Sequence, residues 1–245
     1  MKKLTALTSC LLALSFGAYA QYMPMKAGEV LTYESRTVED NKIEKYTSTV
    51  IEMDNQSDLI SVTLQDKYQS ADNPFSNIED PTFYAYTPST GETVHTIMTA
   101  ELYKSSIIAS LREMIKQSGE YVSEQDFATL EKTIKPKGNI KVPIPAKVEE
   151  GETFPNSTIR CSIMGQSAGV KIVKGSYLGY EEIEVPAGKF NCVKLTYTLS
   201  FIGEGADQKI TTWYAPEVGM VKNVVTDKKG KELSVDTLTA VSTTN

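Results

Sequence analysis

Apolar and polar residues alternate along most of this chain, at the period of a strand with one buried face. The clearest run is 193–201. Val193, Leu195, Tyr197, Leu199 and Phe201 share one face, and Lys194, Thr196, Thr198 and Ser200 share the other. Successive strand side chains point to opposite sides, so one side of this run is predicted to be buried. A one-residue slip would turn five apolar side chains into water, which pins the register. Ile60, Val62 and Leu64 alternate with Ser61, Thr63 and Gln65 in the same way.

The same reading extends to both halves of the chain. Strands are predicted at 30–38, 41–53 and 59–68, followed by a polar loop at 70–81 with two prolines. A hairpin at 82–87 and 93–97 turns at Pro88-Ser89-Thr90-Gly91. The period then becomes helical: Tyr103, Ile107, Leu111, Met114 and Ile115 form a stripe, and Gly119 is placed to cap it. A second helix is predicted to start at Ser123, where Ser123 and Asp126 resemble a capping box ahead of Phe127, Leu130 and Ile134.

Four prolines between 135 and 156 argue for an extended connection with one edge strand at 139–142. Strands follow at 157–164, 170–185, 190–201, 209–215, 220–226 and 233–241, each ended by a Gly- or Pro-containing turn. The expected fold is therefore mainly β. It is an antiparallel, barrel-like or half-barrel sheet, with a two-helix insertion at about 98–135 covering one face or one end.

The N-terminus changes the picture of where such a domain lives. Lys2 and Lys3 precede a short apolar stretch, and Ala18-Tyr19-Ala20 fits a signal-peptidase site. Residues 1–20 are read as a signal peptide cleaved after Ala20, leaving 21–245 as one β-rich domain for the periplasm or cell surface. A lipoprotein reading at Cys10 is disfavoured, because the apolar stretch continues past it. No later segment approaches the roughly 18 apolar residues of a membrane-spanning helix. Two of the 25 basic residues leave with the leader, so 23 basic residues face 31 acidic ones, a net charge of −8. That charge gives no electrostatic case for nucleic acid or anionic membranes.

Two turn motifs carry a family resemblance. The segment 184–194, Glu-Val-Pro-Ala-Gly-Lys-Phe-Asn-Cys-Val-Lys, and the segment 213–222, Trp-Tyr-Ala-Pro-Glu-Val-Gly-Met-Val-Lys, resemble the TapB-like family. This is a domain-of-unknown-function family of exported Bacteroidota proteins. Glu217 stands where a Gly is common in it. The resemblance implies a β-rich, barrel-like or half-barrel fold and export, and it transfers no catalytic residue. Read physically, the motifs are two tight turns with Phe190, Trp213 and Tyr214 as core anchors.

Candidate chemistry is sparse. His95 is the only histidine, so no histidine-based triad is apparent. One histidine and two separated cysteines do not make a zinc site, and no Gly-rich phosphate loop leads into a helix. No cofactor is implied. Cys161 and Cys192 are the cysteines left after leader removal. Export permits a disulfide between them, but in a simple meander they sit on non-adjacent strands, beyond the roughly 7 Å Cα limit. The other reading is two buried thiols. Glu181, Glu182 and Glu184, and Glu149, Glu150 and Glu152, are acidic clusters read as solvated faces.

The expected function is an exported, non-enzymatic β protein that binds an apolar or lipid-like ligand between the sheet and the helices. The alternatives are an envelope assembly module acting through protein contacts, and a carboxylate-dependent hydrolase.

Overall fold

The computed structural model of the chain describes residues 20–70, 78–79, 81–163, 165–203 and 205–244. The predicted cleavage signal before Ala20 and most of the 70–81 loop lie outside these residues. Twelve strands follow in order: β1 (Glu29–Thr37), β2 (Ile43–Asn55), β3 (Ile60–Tyr68), β4 (Thr82–Thr87), β5 (Glu92–Met98), β6 (Lys137–Ile144), β7 (Ser157–Ile163), β8 (Gln166–Val185), β9 (Gly188–Ile202), β10 (Gln208–Ala215), β11 (Gly219–Asp227) and β12 (Glu232–Thr243). Two helices, α1 (Ala100–Ser118) and α2 (Glu124–Thr133), lie between β5 and β6.

Each strand pairs antiparallel with its sequence neighbours, and β1 pairs with both β2 and β12. The sheet is a closed up-and-down barrel, so of the two forms expected it is the full barrel. The alternation drives this result. Leu31 and Tyr33 of β1, Val62 and Leu64 of β3, Ile140, Val142 and Ile144 of β6, and Val193, Leu195 and Tyr197 of β9 all face the core. In β9, Leu199 and Phe201 are only half-buried, because the strand is leaving the core at that point. On the other face of β9, Thr196 is buried and donates its hydroxyl hydrogen to the Ile210 carbonyl at 2.7 Å.

The outer wall carries charge pairs such as Lys45–Glu34, Arg36–Glu232 and Lys189–Glu182. Apolar inside and charged outside is the inverse of a membrane-spanning barrel. Among the described residues, no helix is long and apolar enough to cross a membrane.

One end of the barrel is stopped by the residues that follow Ala20. Tyr22 and Met23 are buried, the Tyr22 amide donates to the Thr93 hydroxyl at 3.2 Å, and the Gln21 carbonyl accepts from the Glu217 amide at 2.7 Å.

The join between β6 and β7 is short: only Lys137, Gly138 and Asn139 pair across it, with Arg160, Ile159 and Thr158. Gly138 sits at φ 94, and a Cβ there would strike the Thr158 carbonyl, so the position requires glycine. Beyond Asn139 the Ser157 hydroxyl bonds both the amide and the carbonyl of Lys141, replacing part of the missing ladder. Pro143, which has no N–H to give, falls where that ladder has already ended. The connection after β6 fills the gap by pairing with β8. The Phe154 amide donates to the Gly175 carbonyl, and Glu152 and Gly151 bond the backbone of Tyr177. β8 is bulged between Val173 and Ser176 and between Tyr177 and Tyr180, where this second partner meets it.

The helices form where the periodicity places them. Thr99 and Ser123 cap them through their side chains, and Gly119 ends α1 in the left-handed conformation. Their packing is light: α1 buries no residue fully, and α2 buries Phe127. Arg112 joins the two helices, 4.1 Å over the Phe127 ring and paired with Glu124 and Glu131.

Candidate functional site: a cavity with two aspartates inside the barrel

A cavity of about 220 Å³ opens inside the barrel, walled by β1–β5 and β9–β12. No residue of 98–135 lines it, so it is not the space between sheet and helices that the amphipathic stripes suggested. Its walls follow from register. Tyr33, Tyr46 and Tyr68 sit opposite one another on β1, β2 and β3. Their rings form a ladder, with centroids 4.9 Å apart for Tyr33–Tyr46 and 5.4 Å for Tyr46–Tyr68. Beside it, Ser48 stands opposite Asp66 and hydrogen-bonds its carboxylate.

On the far wall, Thr212, Asn223 and Asp236 are cross-strand neighbours on β10, β11 and β12. The Thr212 hydroxyl donates to Asn223 Oδ1 at 2.9 Å, and Asn223 Nδ2 donates to Asp236 Oδ2 at 3.1 Å. The Tyr197 hydroxyl joins this row at Thr212. A relay of polar groups therefore ends on the Asp236 carboxylate.

His95 lies in the same interior, buried rather than on the outer face of its hairpin. It stacks on Tyr84, directly opposite on β4, with centroids 4.0 Å apart, and its Nδ1 shares a 2.9 Å hydrogen bond with the Tyr214 hydroxyl. Burial lowers its pKa to about 3, so it is neutral at pH 7. Among the described residues, no Ser hydroxyl or Cys thiol bonds it.

Asp66 keeps some exposed surface, but that surface faces the cavity. Burial pushes its carboxyl pKa up, against the opposing Ser48 hydrogen bond. The Tyr33 and Tyr46 hydroxyls are raised well above the ordinary tyrosine value, first by burial and then by neighbours that include both Asp66 and Asp236. Tyr68 is pushed to about 12 by burial, Asp66, Asp236 and Glu44. The fields of the two aspartates thus converge on one tyrosine ladder.

The acidic clusters singled out in the sequence lie elsewhere. Glu181 and Glu182 pair with Lys194 and Lys189 on the outer wall, Glu149 pairs with Lys147, and none of the six glutamates lines the cavity. Of the expected core anchors, Tyr214 is in the interior and Phe190 is half-buried. Trp213 packs on the outer face, between the Lys194 and Lys222 ammoniums, and donates Nε1–H to Glu181 at 2.7 Å. That bond, with Lys194 beside it, lowers the Glu181 pKa.

Sequence reasoning missed Asp66, Asn223 and Asp236, although a signal for them was present. Asp66 continues the inward phase of Val62 and Leu64, Asn223 that of Val221, and Asp236 precedes Leu238 in the same phase. A carboxylate on the buried phase of an apolar strand marks a polar interior.

Cys161 and Cys192 are free thiols on β7 and β9, with β8 between them. Burial raises both thiol pKa values, that of Cys192 to about 12. Alkylation of the native protein at pH 8 should therefore be slow at Cys161 and slower at Cys192. Denaturation without reductant should expose two alkylatable thiols. An unmodified pair under those conditions would mean a bridge.

Fold and cavity together define a closed, inward-apolar β-barrel with an interior pocket that sets two aspartates among apolar and tyrosine side chains. The chain belongs to the DUF3108-like family, which matches residues 112–238, just over half of its length. Two crystal structures share the fold. One is of a "putative exported protein with YmcC-like fold" from Bacteroides fragilis, 16% identical, TM-score 0.62, covering 91% of this chain and 99% of that one. The other is of a "putative lipoprotein" from Parabacteroides distasonis, 15% identical, TM-score 0.63, with the same coverage. No curated protein matches the chain.

Proposed function

We propose that this protein is an exported, non-enzymatic barrel that holds a small polar ligand in its interior. The cavity walled by Asp66, Asp236, Tyr33 and Tyr46 carries this reading. The leader-like residues 1–20, the two turn motifs with their TapB-like resemblance, and the printed descriptions of the two structural neighbours support export. A lipid-like ligand suits the cavity less well than the sequence suggested. Hydrocarbon against Asp66 and Asp236 would take water from carboxylate lone pairs that the single bonds from Ser48 and Asn223 do not fill.

The hydrolase alternative draws on the two aspartates sharing one cavity. Its volume, about 220 Å³, lies below the roughly 300–1,000 Å³ of small-molecule sites, which leaves little room for a glycoside and its attacking water. The assembly-module alternative draws on Met114, Tyr121 and Val122, which are exposed on and after α1.

Native mass spectrometry of protein purified from its own host tests the reading. A reproducible small-molecule adduct, lost on denaturation, is the expected result. A bare protein in repeated preparations, together with no change in the tyrosine ring resonances when host metabolite extract is added, would sink it.

A further inference from the structure

We infer that the interior cavity takes a small organic cation bearing N–H donors, an amine rather than an anion, a neutral alcohol or a metal ion. This rests on the ligand-binding reading above and names the chemistry of its ligand.

The first argument is charge. The cavity wall contains two aspartates and no Lys or Arg. Among the described residues, every ion pair involves other carboxylates, so neither Asp66 nor Asp236 has a cationic partner. The sequence joining β3 to β4, residues 69–81, contains no Lys or Arg either. His95, the one wall residue able to become cationic, is buried against Tyr84 and Tyr214. Two carboxylates in a confined space without a counter-charge disfavour an anion and favour a cation.

The second argument is the hydrogen-bond inventory. Tyr33 donates to the Met220 carbonyl at 2.7 Å, Ser48 bonds Asp66, Thr212 donates to Asn223, and Asn223 donates to Asp236. These groups commit those hydrogens to protein acceptors, while the Tyr84 hydroxyl, which accepts from the Met220 amide, keeps its own; the charged part of the wall, Asp66 and Asp236, presents lone pairs only. A carboxylate is acceptor-only. A ligand that completes such a wall must bring donors, and an ammonium brings three. A metal ion is served less well, because no group of three or more His, Cys, Asp or Glu side chains comes together among the described residues.

The third argument is size and wall. About 220 Å³ corresponds to roughly seven waters at ~30 Å³ each, the scale of a short amine. Leu31, Leu64 and Ile97 give its carbon atoms apolar contact, and the aromatic walls add attraction for a cation.

The test uses the leaderless chain and three probes of equal length: 1,4-diaminobutane, 1,4-butanediol and butanedioate. The readout is the ring resonances of Tyr33 and Tyr46, which line the cavity. The diamine should shift them saturably at neutral pH, while the diol and the diacid leave them unmoved. Asp66→Asn and Asp236→Asn should each weaken the diamine by about tenfold, the loss of one charge-assisted hydrogen bond. Diol or diacid binding as tight as the diamine, or Asn variants that keep full diamine affinity, would overturn the cation assignment and leave a ligand cavity standing. No shift with any probe overturns the cation assignment, and a bare protein in native mass spectrometry would then remove the ligand reading as well. If an Asn variant fails to fold, the charge series on the unaltered protein decides alone.

Discussion

Replacing Phe154 by Ala should cost about 3–5 kcal/mol of stability, among the largest effects expected of one side chain here. Phe154 is buried in the connection that takes over from β7 beside β8. Its ring meets Tyr177 at 5.3 Å and Tyr197 at 6.4 Å between centroids. It also lies directly over Gly175, where an added Cβ would fall within the ring. Gly175→Ala alone should therefore destabilise by about 1–3 kcal/mol through overpacking. With Phe154 already reduced to Ala, the new methyl enters vacated space, and its cost should nearly vanish. Denaturant unfolding of the two single variants and the double variant measures this coupling. Simple additivity would mean that Gly175 is small for some other reason than the ring above it.

Acid should weaken the fold through His95. The imidazole is buried neutral, with its pKa lowered from 6.5 to about 3 by burial. Between those values the unfolded chain binds a proton that the native barrel does not. The contribution is complete above pH 6.5 and is lost as pH falls toward 3, at up to about 1.4 kcal/mol per pH unit. By pH 4.5 the loss is about 2–3 kcal/mol. Asp66 acts with the opposite sign, because its native pKa is raised above the ordinary 3.8, and protonation relieves its burial. The comparison that isolates His95 is therefore wild type against His95→Gln, each measured at pH 7 and pH 4.5 by urea unfolding. The variant should lose about 2 kcal/mol less than the wild type over that interval. Equal losses would mean that His95 titrates normally in the native state.

The strand pattern was legible because burial has a period. All twelve strands and both helices appear where alternation, the helical stripe and the turn residues place them, with shifts of a few residues at their ends. Ser123 and Gly119 were readable because capping and left-handed termination are local requirements. Local pattern does not encode which long-range surfaces meet. The stripe of α1 suggested a cover over one face or one end, yet no residue of α1 is fully buried. The pairing of 151–154 with a bulged β8 depends on how far β6 outruns β7, which no short window contains. The site was half-legible. The inward phase of Asp66 could be read from its neighbours, but its meeting with Asp236, 170 residues later, required the barrel to close.

Closure also bears on how the chain can fold. The seam between β1 and β12 joins Glu29 to Thr243, so the native ring is incomplete until nearly the last described residue is present. A nascent chain that lacks β12 must hold β1 and β11 as bare edges, and such edges recruit strands from other molecules. The entropy of bringing those ends together is spent before their contacts reward it, which marks a slow-folding topology. Loss of β12 as a whole should therefore do more than fray an end. It would convert an edgeless ring into a sheet with two sticky borders.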